Sequence, residues 1–226
     1  MCGRFTRLYT WAELHELWEL ATPRKPLELK PSWNVALTQD TPIVRMGEDG
    51  REAVMARWGL IPFFARGEPP KYSTINATVE KLETSPAWRG PWKRAQRCIL
   101  PVSGFYEWHL TASGSKQPYY IKVADQEIFG FAGLWDRSQR EDGTAIESCT
   151  LITLPANKLM SEIHNTKRRM PAILSREDHE AWLTGNASDA KAVLRPYPDD
   201  LMVAWPVSTR VNSPRNNDPG LIEPVG

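Results

Sequence analysis

Between Pro42 and Leu154 the chain repeats one pattern: short runs of β-branched, aliphatic and aromatic residues, each punctuated by Gly, Pro, Asp or Ser. PIVRM, the turn GEDGR and the run EAVMARWGLIP read as a hairpin. RCILPV, PYYIKVA, EIFGFAGLW and ESCTLITL are further strand candidates, broken by ASGSKQP and SQREDGT, and LMVAWPVS is a late one. Runs of this kind build a mostly antiparallel sheet system. Helical periodicity is confined to a few places. Thr10 and Glu13 form a capping box for a helix with Leu14, Leu17 and Trp18 on one face, ending near Ala21. Helices are also expected at Ala156 to Ile163 and at Ser175 to Leu183, the latter with Ser175 and Asp178 as a capping pair and Gly185 as its stop. RGEPPK and DRSQREDGTAIE read as exposed loops. The expected class is α+β: a single compact domain over residues 1–226, with a curved, mostly antiparallel β core flanked by short helices.

Charge sets a limit on function. With 28 Lys and Arg against 27 Asp and Glu, the net charge of +1 provides no global positive field, so any contact with nucleic acid must come from a local patch. No apolar run reaches the roughly 18–20 residues of a membrane span, and the first twenty residues carry Arg, Glu and His throughout. No membrane association is expected, and a cytoplasmic location is. The three cysteines, Cys2, Cys98 and Cys149, are far apart with no CxxC spacing, which argues against a disulfide framework or zinc ribbon. No metal or cofactor is expected.

Four segments could support chemistry. In MCGRF, a small second residue permits removal of Met1, which would leave Cys2 with both a free α-amine and a thiol. With reference pKa values of about 8 and about 8.5, both groups are partly available as nucleophiles near neutral pH. An aldehyde can meet both: the amine forms a Schiff base and the thiol closes a five-membered thiazolidine. On these five residues alone, Cys2 reads more readily as an incidental residue of a chain end. GFYEW places Glu107 among three aromatics, where desolvation would raise its pKa toward that of a working acid or base; strand alternation offers the alternative of Glu107 on a solvent face. In IHNTKRRMP, a helix ends in His164, followed by three cations and a Pro. These cations would complement an anionic ligand, or simply the helix C-terminus. In STINATVE, Asn76 is either the N-cap of a short helix or a ligand-orienting group. Trp58 in WGLIP and Trp33 in WNVA are either core aromatics or a base-stacking surface.

The order of MCGRF, WNVA, WGLIP, INATVE, GFYEW and IHNTKRRMPAIL along the chain resembles the SRAP family, the SOS response associated peptidases. The resemblance implies recognition of abasic sites in single-stranded DNA and covalent self-crosslinking through a processed N-terminal cysteine, by a monomer that joins the nucleoid at damaged DNA. By motif position it makes Cys2 the nucleophile, Asn76 an orienter, Glu107 a general acid/base and His164 a proton donor, with Arg4, Trp58, Arg168 and Arg169 on the DNA. The same Cys2, Glu107 and His164 would cut the Met1–Cys2 bond. Two departures from the family pattern are Thr78, where an Arg is usual, and Leu37, where a Pro is usual. HNTKRRMP is also longer than the commoner His-x-Arg-x-Pro, and the Arg-Met-Pro register favours Arg169 over Arg168 as the phosphate ligand. A cysteine peptidase acting in trans and a non-catalytic reader of modified DNA are the competing readings.

Overall fold

The GEDGR turn forms the hairpin its sequence predicts. Strands β3 (Asp40–Gly47) and β4 (Gly50–Trp58), which follow β1 (Arg4–Arg7) and β2 (Ser32–Ala36), pair in register from Asp40↔Arg57 to Gly47↔Gly50. Gly50 closes the turn at φ 120°, a conformation that strains any side chain. The computed structural model of the chain describes residues 2–21 and 26–225. The remaining strands are β5 (Asn76–Thr78), β6 (Arg97–Val102), β7 (Gly104–Leu110), β8 (Lys116–Val123), β9 (Phe129–Gln139), β10 (Ala145–Pro155), β11 (Arg169–Pro171), β12 (Ile173–Leu174) and β13 (Met202–Pro206). Short helices α1 (Trp11–Trp18), α2 (Arg89–Lys93), α3 (Lys158–Ile163), α4 (His179–Thr184) and α5 (Ala187–Ala192) flank them.

One sheet runs β10–β4–β3–β6–β9 and closes on itself through the β9–β10 pairing, giving a barrel with no free edge in that circuit. β10 pairs in parallel with β4 and then with β5, so a long strand carries first Trp58 and then Asn76 along its side. The other sheet, β13–β8–β7–β1–β2, packs beside it. The expected α+β domain with a mostly antiparallel, curved β core is therefore present.

Alternation on β7 explains how the two sheets share a core. Phe105 faces the main core, where its ring meets Phe131 at 5.5 Å. Tyr106 faces the other way, into a second apolar cluster with Tyr120, Val207, Val211 and Leu221. The C-terminal segment after β13 thus covers the outer face of β7. Asn34, buried on β2, fastens this segment by donating its amide to the carbonyls of Val211, Ser213 and Asn216 at 3.2, 3.0 and 2.9 Å.

Three local expectations are corrected. α1 is capped by Thr10 and Glu13 as predicted but ends at Trp18 rather than near Ala21. Glu19 turns left-handed, and Ala21 leaves the helix to donate to the Arg51 carbonyl at 2.8 Å. Ser175 makes no capping bond; a 3-10 turn at Arg176–Asp178 precedes α4, and Asp178 pairs with Arg195 at 2.7 Å instead. Most of DRSQREDGTAIE is strand rather than loop. Asp136 and Ser138 are buried because they accept hydrogen bonds from the backbone of Phe63 and Gly67, anchoring the segment after β4.

Candidate functional site

The site forms where four chain segments meet at one end of the main core. Cys2 precedes β1, which lies between β2 and β7, with Arg4 opposite Tyr106. Glu107 follows on β7, with its side chain on the same face as Phe105. Its carboxyl is only 2% exposed. The solvent-face alternative for Glu107 fails, because the barrel covers one face of β7 and the C-terminal segment covers the other. Burial pushes the Glu107 carboxyl above its ordinary range, and nearby His164 offsets part of that effect.

His164 caps the C-terminus of α3, where the chain turns back before β11. Its Nδ1 lies 2.9 Å from the Arg169 carbonyl and 3.9 Å from Glu107 Oε1. A carbonyl can only accept, so in the neutral ring the proton sits on Nδ1 and the lone pair on Nε2. Asn76 lies on β5, alongside Leu151 of β10. Its Nδ2 donates to the Cys2 carbonyl at 3.0 Å, and its buried Oδ1 has no hydrogen-bond partner among the described residues. The N-cap reading of Asn76 is therefore replaced: it sits within a strand, and its side chain orients the backbone of Cys2. Cys2, Asn76, Glu107 and His164, from four separate sequence segments, converge on one point.

Above this point opens a cavity of about 410 Å³, lined in part by Glu107, His164, Trp108 and Asn212. The Trp108 indole N–H donates to Asn212 Oδ1 at 2.8 Å, which holds the ring against the C-terminal segment. No group of three or more His, Cys, Asp or Glu placed to hold a metal occurs among the described residues.

Other expectations need correction. The Cys2 thiol is fully buried and donates to the Arg4 carbonyl at 3.6 Å. Burial, and secondarily the Glu107 carboxyl, push its pKa well above the ordinary value, so the thiol is neutral at pH 7 rather than partly ionised. Trp58 is wholly buried against Phe5, with ring centroids 4.9 Å apart, and donates to the Ile75 carbonyl at 3.1 Å. It braces the strand that carries Asn76 and offers no face to a base. Arg169 gives its guanidinium to Glu80 at 2.6 and 3.0 Å and to the Thr153 carbonyl at 2.6 Å, and so links the turn after β5 to β10 and β11. Both terminal nitrogens are engaged inside the fold, which does not favour Arg169 over Arg168 as the phosphate ligand. Arg168 is exposed, at φ 49°, and does not line the cavity. Half-buried Arg4 donates to the carbonyls of Gly3 and Asn212, both at 3.3 Å.

Residues 1–214 match the family described as SOS response associated peptidase (SRAP). The chain belongs to the SRAP family. It is 39% identical over 227 residues to the abasic site processing protein YoqW of Bacillus subtilis (strain 168), covering 99% of each chain. The abasic site processing protein HMCES of Gallus gallus is 30% identical over 228 residues, which cover 87% of this chain and 67% of that one. A crystal structure of a protein from Bacteroides thetaiotaomicron superposes with a TM-score of 0.86 at 29% identity, covering 99% of this chain and 100% of that one. The six SRAP motifs read in the sequence all fall in or beside strands of the two sheets. Three polar residues of this SRAP site escaped the sequence reading: Asn34, Glu80 and Asn212. Asn34 and Glu80 lay inside quoted motifs, but only the partners that folding brings to them reveal their roles.

Proposed function

We propose that this protein captures abasic sites in single-stranded DNA by forming a covalent bond through Cys2, one chain per lesion, as part of the cellular response to DNA damage. The observation that supports this reading best is the convergence of Cys2, Asn76, Glu107 and His164 beneath one open cavity. The names of its relatives, abasic site processing proteins, point the same way.

The reaction needs Met1 removed, a hydrolysis of the Met1–Cys2 bond for which Glu107 and His164 supply the proton-transfer groups. The closed deoxyribose then opens as His164 gives a proton to the ring oxygen while the C1′ hydroxyl loses its proton to solvent, releasing the C1′ aldehyde. The Cys2 amine adds to that aldehyde, and loss of one water gives the Schiff base. The thiol sulfur attacks C1′ and forms the C–S bond, while the thiol proton passes by way of Glu107 to the former imine nitrogen. Ring closure removes the imine that would otherwise promote strand cleavage by β-elimination. Asn76 fixes the Cys2 carbonyl throughout. Reversal through the same groups returns the Schiff base, and β-elimination from that imine would make the protein a slow lyase.

The test is incubation of the purified protein with a single-stranded oligonucleotide carrying one abasic site, followed by a denaturing gel. A denaturation-resistant band is expected from the wild type, and none from Cys2→Ala. A wild-type protein without the band, or a Cys2→Ala variant with an equal one, overturns the reading. Mass spectrometry of active protein should find Met1 absent.

A further inference from the structure

β1 pairs with β7 only from Gly104 to Tyr106, so among the described residues no strand lies beside the edge of β7 beyond Tyr106 on that side. The segment after α3 occupies this edge. Asn165 Oδ1 accepts the Leu110 N–H at 3.0 Å, and Asn165 Nδ2 donates to the Leu110 carbonyl at 2.9 Å. A side-chain amide thus makes both bonds a neighbouring strand would have made. One turn back, His109 Nδ1 meets the Glu162 carbonyl at 2.9 Å, and the Arg168 N–H closes on the His164 carbonyl at 2.8 Å. The 164–168 turn is therefore a fixed part of the fold.

Two lysines stand near this turn, one within it and one on β8. Lys167 follows Asn165 by two residues, and Lys116 is the cross-strand partner of Leu110 on β8. Leu110 gives its backbone polar groups to Asn165, so its pairing with Lys116 is of the non-hydrogen-bonded kind, in which side chains stand close. Both lysines line the cavity above Glu107 and His164. Neither has a hydrogen-bond or ion-pair partner among the described residues, whereas Arg4 and Arg169 are engaged within the fold.

We propose that Lys116, placed by the β7–β8 hairpin, and Lys167, placed by the Asn165 clamp on Leu110, bind the phosphodiester backbone of single-stranded DNA at the cavity rim beside the captured sugar. This rests on the function proposed above and adds to it the groups that hold the strand. The cations are exposed and the carboxyl lies on the cavity floor, so a phosphate at the rim is attracted without being driven against Glu107. Asn165 is the positioning residue for Lys167, while Lys116 is placed independently by the β7–β8 hairpin.

The test measures equilibrium binding of an unmodified single-stranded oligonucleotide by fluorescence anisotropy over a range of salt concentrations. Each phosphate-bound cation contributes about 0.7 to the slope of log K against log salt for a single strand. Lys116→Gln and Lys167→Gln should each lower the slope by about that amount, and the double variant by about twice it. Lys93→Gln, exposed on α2 and away from the cavity, should leave it unchanged. Asn165→Ala should reproduce the Lys167→Gln loss, add nothing in combination with Lys167→Gln, and add fully to Lys116→Gln. In crosslinking, the rim variants should need more DNA for half-maximal reaction. A double variant with the wild-type slope overturns the proposal, and full additivity of Asn165→Ala with Lys167→Gln overturns the clamp. Absence of crosslinking by the wild type refutes the function instead, and leaves the salt slopes to decide the rim.

Discussion

Replacing Glu107 by Gln keeps the shape of the side chain and removes its charge, and this should act in opposite directions on stability and on reaction. Burial raises the folded-state pKa of Glu107 above the ordinary value of 4.5. Such a group favours the fold fully below its unfolded pKa, and that contribution is lost as pH rises through the folded pKa. Glu107→Gln carries no titrating proton and escapes the loss. Its melting temperature should exceed that of the wild type at about pH 7.5, with the gap closing as pH falls toward the ordinary carboxyl pKa of about 4.3. Reactivity should move the other way. A positioned acid–base group is worth about 10²- to 10⁴-fold. At 2% exposure water has little access to replace this one, so we place the loss in the upper half of that range. A 10³-fold slower crosslink corresponds to about 4 kcal/mol of barrier. Single-turnover crosslinking followed on denaturing gels gives the rate, and calorimetry from about pH 4 to about pH 8 spans the titration. A variant that crosslinks at the wild-type rate, or whose stability difference from wild type does not vary with pH, would refute the assignment of Glu107 as a buried proton shuttle.

Asn34→Ala removes the amide that serves the carbonyls of Val211, Ser213 and Asn216. Unsatisfied buried acceptors cost about 1–3 kcal/mol, which for a chain of this length lowers the melting temperature by roughly 2–12 °C. Limited proteolysis should then cut within residues 207–225; unchanged melting and an intact C-terminal segment would show that the amide is not its fastener. His179 lies flat against Trp18 at 5.8 Å, and burial, then Arg51 and Arg176, pull its pKa from 6.5 to about 4. A depressed folded pKa means that stability is intact above 6.5 and is lost as pH falls from there toward 4. His179→Phe should flatten that part of the denaturation-midpoint profile, and an unaltered slope would rule out His179 as its cause.

What the sequence made legible is what depends on neighbours along the chain. The β3–β4 hairpin, the Thr10–Glu13 box and the strands β6 to β10 are each written in a local alternation or turn. Barrel closure is not, because the β9–β10 and parallel β10–β5 pairings join segments whose complementarity shows only in three dimensions. Asp136 and Ser138 mislead for the same reason. Polar letters beside a turn resemble a loop until Phe63 and Gly67 arrive to use them. Glu107 shows the limit most sharply. Period-two alternation correctly sets Tyr106 opposite Phe105 and Glu107, yet it cannot tell that both faces of β7 are covered, since one cover comes from a segment about a hundred residues downstream. Trp58 was undecidable in sequence because a core brace and a stacking platform call for the same side chain.

The buried state of Cys2 bears on the order of the proposed steps. A thiol held neutral by its surroundings is a poor nucleophile and resists oxidation, because the thiolate is the reactive form in both respects. The first bond to an aldehyde therefore falls to the amine. Once the iminium has formed, its positive charge stands beside the sulfur and opposes the two influences that raise the thiol pKa, burial and the Glu107 carboxyl. Glu107, itself carrying a raised pKa, is matched to give the imine nitrogen the proton that makes the iminium and then to take back the one that leaves sulfur. On this account burial delays the thiol until the intermediate it must attack is present. The same residue is thus inert in the resting protein and reactive at the lesion.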